Sequence, residues 1–298
     1  MTGGPFRAGL VTLAGVPNVG KSTLLNRLLG EKIAITSRKA QTTRNRILGV
    51  AHRPDAQLVL LDTPGIHNAA GPLNRRMMDA ALSALDGVDA VILLIDAASP
   101  EPTAEPGILG RLRDEGVPTV LAINKIDRVR RPAILEIIDR WRTLHPFGAI
   151  VPISAKTGDG VEALVTAVTA ELPEGPPLYP EDALTDQPER FIAAEMIREK
   201  VFRLTGEEVP YATAVTIDAF DESERDRLLR IEATIHIERN SQKGIVIGRG
   251  GERLKRIGQA ARRDIERMTG TRVFLKLFVR VQKQWRRDPR ALTRFGYE

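Results

Sequence analysis

Leu10-Val-Thr-Leu-Ala-Gly15-Val-Pro-Asn-Val-Gly20-Lys21-Ser22-Thr23 is the stretch on which the fold turns. Gly15 to Ser22 fits the spacing G-x-x-x-x-G-K-[ST], with a short apolar run before it and a helical pattern, residues 22–29, after it. Strand, glycine-rich turn and helix in that order bring backbone amides and a helix N-terminus together around phosphate oxygens. Lys21 is placed to reach β- and γ-phosphates, and the Ser22 hydroxyl to meet Mg2+. The candidate phosphate-binding residues are Gly15, Pro17, Asn18, Val19, Gly20, Lys21, Ser22, Thr23 and, further along, Gly65.

Four more short apolar runs, residues 57–61, 90–95, 119–123 and 150–151, alternate with amphipathic stretches. That is the pattern of a buried, mostly parallel sheet with helices on both faces. A run at 47–50 predicts an antiparallel edge strand. The expected class is therefore α/β, a doubly wound sheet. Polar motifs close its strands. Asp62-Thr63-Pro64-Gly65 supplies an acid for Mg2+ and an amide for a γ-phosphate. Asn124-Lys125-Ile126-Asp127 supplies a carboxylate that accepts from the guanine N1–H and exocyclic amine. Adenine lacks that donor pair and would leave the carboxylate unsatisfied. The Lys125 stem can cover the base and Asn124 can brace the loops. In Ser154-Ala155-Lys156 an amide can meet the guanine oxygen. Taken singly each motif is a common turn. In order, each at the end of a strand, they describe a site for GTP or GDP with Mg2+.

The chain has 298 residues, room for about two domains, with 42% hydrophobic and 28% charged residues. Such a composition excludes wholesale disorder. The run at 90–95 is the longest clean apolar one and is far short of a membrane span, which takes about 20 residues. The N-terminus lacks a secretory pattern. Zero cysteines exclude disulfides, thiolate metal sites and cysteine nucleophiles, and fit a cytoplasmic protein. The four histidines show no metal-ligand spacing and read as structural or surface residues.

Five prolines in residues 173–188 predict a semi-rigid, acidic linker, 173–189, between a domain of residues 1–172 and one of 190–298. The second domain reads as α+β: a helix at 190–204, strands at 211–220 and 228–237, helices within 244–268 and a strand at 272–281. Residues 239–294 hold 17 basic and 4 acidic side chains, the footprint of a polyanion binder. Gly248-Arg249-Gly250-Gly251 fits G-x-x-G, a loop that clamps a nucleic-acid backbone because phosphates can approach residues without side chains. The candidate RNA-binding residues are Lys243, Gly244, Ile245, Val246, Ile247, Gly248, Arg249, Gly250, Gly251, Arg253 and Lys255, with Trp285 and Arg286 beyond them. Ile245, Val246 and Ile247 are candidates for an apolar floor under about four single-stranded nucleotides, though some of the three must face the core and the sequence does not say which. The element order looks like a type II KH domain.

Together these residues resemble the Era family, bacterial P-loop GTPases with a C-terminal KH domain. The likeness covers nearly the whole chain and includes Gln41-Thr42-Thr43-Arg44 and Leu172-Pro-Glu-Gly-Pro-Pro. It implies GTP hydrolysis, maturation of 16S rRNA, assembly of the 30S subunit, and a KH domain that holds the single-stranded 3′ end of that RNA. Gln41 to Arg44 become switch I and Asp62, Thr63, Pro64, Gly65 and Ile66 switch II. Both Thr42 and Thr43 qualify as the switch-I magnesium ligand, and the family's T-T-R pattern favours Thr43, giving Ser22, Thr43 and Asp62 as the metal set. Ile66 stands where many GTPases place a water-orienting glutamine, so hydrolysis by the chain alone is expected to be slow. Asn18 matches relatives that use K+ in place of an arginine finger. No dimer seam is evident in the sequence, which points to a monomer; the family also implies peripheral association with the cytoplasmic face of the membrane. The competing readings are an RNA-binding module that keeps GTP only as a ligand, and a GTPase whose basic surface serves anionic lipid.

Overall fold

The computed structural model describes residues 5–37, 39, 42–65, 71–100, 106–206 and 208–297. They pack into two units. One holds described residues up to 34, 43–65 and 77–186, and the other those of 35–42, 71–76 and 187–297.

The first unit is a six-stranded sheet: β1 (Arg7–Ala14), β2 (Ile47–His52), β3 (Ala56–Asp62), β4 (Ala90–Asp96), β5 (Thr119–Asn124) and β6 (Ala149–Pro152), in the order β2-β3-β1-β4-β5-β6. Only the β2–β3 pair is antiparallel. The unbroken apolar runs follow from burial on both faces: β3 is buried along its whole length and β4 along all but its last residue. Helices α1 (Lys21–Leu29), α2 (Pro72–Ser83), α3 (Pro106–Glu115), α4 (Arg131–Trp141) and α5 (Val161–Glu171) alternate with the strands. Trp141 is fully buried behind β4 and β5 and donates its indole N–H to the Pro100 carbonyl at 3.1 Å. All the polar motifs lie at the carboxyl ends of β1, β3, β5 and β6, where open α/β sheets bind ligands.

The Pro-rich stretch is not a free linker. As far as residue 186 it lies along the first unit. The side chain of Gln57 accepts from the amides of Leu178 (2.7 Å) and Tyr179 (2.9 Å) and donates to the Tyr179 carbonyl (2.8 Å). The Val50 amide on edge strand β2 donates to the Leu184 carbonyl at 2.9 Å. An edge strand offers unpaired amides, and an extended chain with few amides of its own answers them with carbonyls.

In the second unit, α6 (Glu189–Leu204) is followed by β7 (Ala214–Asp221), β8 (Leu229–Ile237), α7 (Asn240–Ile247), α8 (Glu252–Thr269), β9 (Val273–Val281) and α9 (Pro289–Arg294). The sheet runs β7-β8-β9, antiparallel then parallel. This is the expected α-β-β-α-α-β order, with α9 added. α6 buries Ile192, Ala193, Met196, Ile197, Val201 and Phe202, and α8 buries Ile257, Ala261 and Ile265. β7 starts at Ala214 rather than 211, because residues 208–212 turn and the Thr213 hydroxyl donates back to the Val209 carbonyl at 2.7 Å.

Candidate nucleotide site and nucleic-acid interface

β1 ends at Ala14 and the chain turns tightly before α1. Gly15 has φ 139°, and a Cβ there would lie 2.5 Å from the Leu94 carbonyl oxygen. Gly20 has φ 109°, and its Cβ would meet the Asn124 side chain at 2.3 Å. Both positions need glycine. Lys21 begins α1 and folds over the loop, its ammonium donating to the carbonyls of Gly15 (2.8 Å) and Val16 (3.1 Å). Burial lowers its pKa to about 8, with nearby Asp62 acting in the opposite sense.

Three oxygens gather beside it. The Ser22 hydroxyl lies 2.8 Å from that of Thr43 and donates to the Asp62 carboxylate at 2.6 Å; the Thr43 hydroxyl is 3.2 Å from the same carboxylate oxygen. Asp62 is fully buried, and burial raises its pKa against the pull of Lys21 and of bonds from Ser22, Thr43 and the Thr63 amide. Its other oxygen, Oδ1, is buried with no partner among the described residues. A buried carboxylate with a spare oxygen beside two hydroxyls is the hard-oxygen donor set that suits Mg2+. Thr42, chemically identical to Thr43, turns its hydroxyl to the Lys39 carbonyl at 2.7 Å instead. Thr63 braces the site from below, donating to the Leu13 carbonyl at 3.0 Å. Gly65 sits so close to Pro17 that a Cβ would lie 2.6 Å from its backbone. Arg44 is buried nearby in sequence. Gln41 and Ile66 lie outside the described residues.

The base end is equally interlocked. Asn124 donates to the Val19 carbonyl (2.7 Å) and accepts from the amides of Lys125 (2.8 Å) and Ala155 (2.9 Å). One side chain thus ties the phosphate loop to both base-recognition loops. Lys125, at φ 66°, donates to the Asn18 carbonyl (2.6 Å) and pairs with Asp96 (2.5 Å). Asp127 accepts from the Ser154 hydroxyl at 2.7 Å. Lys156 is exposed, while Ser154 and Ala155 are buried. Two supporting residues escaped the sequence reading. Asp96 closes β4, and its place at a strand's carboxyl end was the available signal. Arg27, on α1, donates to the carbonyls of Ala155 (3.2 Å) and Lys156 and pins that loop; its only sequence signature is a helical arginine.

In the second unit, α7 ends at a loop of three left-leaning glycines, Gly248 (φ 74°), Gly250 (φ 59°) and Gly251 (φ 80°), from which α8 starts. Lys243, Gly244, Arg249, Gly250 and Lys255 are exposed around it. A groove of about 440 Å3 runs from this loop between α8 and β9. Its apolar floor is Leu254, Leu275 and Leu277, with Gly258 keeping the helix side open and Lys255 and Arg262 on the rim. Of the three apolar residues before the loop, Val246 is the one that faces the core: it is fully buried, while Ile245 and Ile247 are half-buried. The groove's lining also draws on the neighbouring helix and strand, which the sequence did not indicate. Arg253 is also spent internally, donating to the Ile245 carbonyl. Trp285 is a clear correction. It is fully buried, stacked on Tyr297 (centroids 5.8 Å apart) and edge-on to Phe295 (5.3 Å), and it donates to the Ala212 carbonyl at 3.0 Å. It is a core residue and cannot stack on a base. Arg286 pairs with Glu238 at 2.5 Å.

A phosphate loop at the topological switch of a mostly parallel sheet, with the Asn124–Asp127 and Ser154–Lys156 loops at the other end of the crevice, defines a P-loop GTPase; the unit after it is a KH domain. Family models agree: residues 10–125 match a 50S ribosome-binding GTPase and residues 208–286 a KH domain. The GTPase Era of Geotalea uraniireducens is 55% identical over 298 residues, all of both chains, and that of Geobacter metallireducens 55% over 297. The chain belongs to the Era family of GTPases. Two solved Era structures superpose with TM-scores of 0.94, each covering 98% of this chain and 99% of the other. One is an Aquifex aeolicus Era variant bound to GDP.AlF4-, 41% identical; the other is Era in complex with MgGDPNP and nucleotides 1506–1542 of 16S ribosomal RNA, 42% identical.

Proposed function

We propose that this protein hydrolyses GTP to govern its hold on the single-stranded 3′ end of 16S rRNA during maturation of the small ribosomal subunit. The observation that carries the reading is the groove between α8 and β9. It is apolar on its floor, basic on its rim and opened by Gly251 of the glycine loop and Gly258 of α8, and it shares a chain with a guanine-nucleotide site. A relative at 42% identity, matched over 98% of this chain, is found in complex with MgGDPNP and nucleotides 1506–1542 of 16S ribosomal RNA. Single-stranded nucleotides suit such a groove because splayed bases find an apolar floor while phosphates approach the glycine loop.

In the nucleotide site the phosphate loop and Lys21 bind the triphosphate. Asp127 and the loop at Ser154 select guanine. Ser22, Thr43 and Asp62 would hold Mg2+, which neutralises phosphate charge when bound. Asn18, exposed at the top of the loop, is assigned to K+, which can serve the same end. Equal GTPase rates in K+ and Na+ buffers overturn that assignment.

The test measures binding of a single-stranded RNA from the 3′ end of 16S rRNA at fixed salt, with GTP analogue, GDP or no nucleotide, and reads hydrolysis with and without RNA. Tighter binding in the GTP-analogue state, with faster hydrolysis on RNA, is expected. Binding indifferent to nucleotide and to RNA sequence overturns the reading in favour of two unconnected activities. Retention on anionic vesicles without RNA, with no RNA binding, would mark the basic surface as lipid-directed.

A further inference from the structure

The described residues among 35–42 precede the Thr43 that meets Ser22 and Asp62, yet they belong to the second unit, where Thr36, Lys39 and Thr42 meet α6. Buried Glu199 accepts from the Thr36 amide at 3.0 Å, and Arg203 donates to the Thr36 carbonyl at 3.0 Å. Lys39 donates to the carbonyls of Phe202 (2.6 Å) and Thr205 at the end of α6, where helix carbonyls lack partners and the dipole is negative. Arg198 has no exposure at all. Its guanidinium grips the Glu195 carboxylate through Nε (2.7 Å) and Nη2 (2.5 Å), stacks 5.0 Å from the centre of the Phe202 ring, and donates from Nη2 to the carbonyl of Thr42.

Burying a guanidinium is costly unless its donors are used; Nε and Nη2 are, while Nη1 is buried without a partner among the described residues. Here Glu195 fixes the fork, and the fork holds one backbone carbonyl. That carbonyl belongs to the same planar peptide group as the Thr43 amide. Fixing the plane limits where the Thr43 hydroxyl can lie, and catalytic geometry tolerates errors of well under about 1 Å. Lysine, a single ammonium without a fork, cannot grip Glu195 in two places while reaching Thr42.

We propose that Arg198 is a positioning residue for Thr43, and that α6 thereby sets the magnesium dependence of GTP hydrolysis. This rests on the reading of Thr43 as a magnesium ligand.

The test compares full-length protein with Arg198→Met, Arg198→Lys and Thr43→Ala in single-turnover GTP hydrolysis across Mg2+ concentrations, with GDP affinity measured alongside. Arg198→Met is expected to raise the Mg2+ concentration for half-maximal rate about tenfold, with GDP affinity within twofold, since Lys21, Asn124 and Asp127 are untouched. Arg198→Lys is expected to shift it less, and Thr43→Ala at least as much as Arg198→Met. A Thr43→Ala shift without an Arg198→Met shift overturns the proposal and leaves the magnesium reading standing. No shift in either overturns both. Loss of rate and GDP affinity together at unchanged Mg2+ dependence marks Arg198 as merely structural and overturns it. If Arg198→Met does not fold, Arg198→Lys decides, and a Mg2+ dependence equal to that of the unsubstituted protein overturns the proposal.

Discussion

Thr42 and Thr43 are neighbours with the same side chain, and composition cannot tell them apart. Their hydroxyls nevertheless part company, one to the Lys39 carbonyl and one to Ser22 and Asp62. His236 shows the same dependence on surroundings. It is buried on β8, with Nε2 2.9 Å from the Thr216 hydroxyl and its ring 4.4 Å from that of Phe295. Burial lowers its pKa to about 4; facing Asp218 opposes the shift, and Arg280 and Arg294 add to it. Because this value lies below that of an unfolded histidine, about 6.5, the unfolded chain takes up the proton first as pH falls. The stability contributed by neutral His236 is therefore complete above about pH 6.5 and lost progressively toward pH 4. His236→Gln should flatten that arm in melting temperatures measured from pH 4.5 to 7.5. An unchanged slope would show that His236 does not titrate in this window.

At the scale of elements, the strands of the first unit were legible because burial on both faces leaves continuous apolar runs, and the predicted and observed strands overlap throughout. β1 extends back to Arg7 because that residue pairs with Ala56, a cross-strand fact no local pattern carries. The C-terminal element was read less well. Trp285 reads in the sequence as an RNA contact beside arginines, and no element is read past residue 281, but Trp285, Phe295 and Tyr297 close a small aromatic core against Ala212. Trp285→Ala should cost about 3–5 kcal/mol of the second unit's stability, the usual loss for a large buried aromatic. Denaturant titration measures it. At temperatures where the variant is folded, RNA affinity should stay within twofold; a larger loss at full folding would return Trp285 to the RNA interface.

For the whole molecule, the basic surplus of residues 239–294 acts as a field rather than through single contacts. RNA affinity should fall as a power of salt concentration. Removing rim charges by Lys255→Ala and Arg262→Ala should each reduce the log–log slope by about 0.7, the value for one single-strand phosphate contact. Slopes unchanged in both variants would place the RNA elsewhere. By itself the sequence determined the α/β class, the guanine site with its phosphate and base loops, the KH element order and the sign of its surface, because periodicity, glycine spacing and charge are local properties. The tertiary structure alone decided which residues floor the groove, that the Pro-rich stretch covers an edge strand, and that Arg198 reaches Thr42. Each of these depends on which hydrogen-bond donor or apolar face lies opposite which across more than a hundred residues of chain or across a helix–strand interface, and chain order carries no record of that distance.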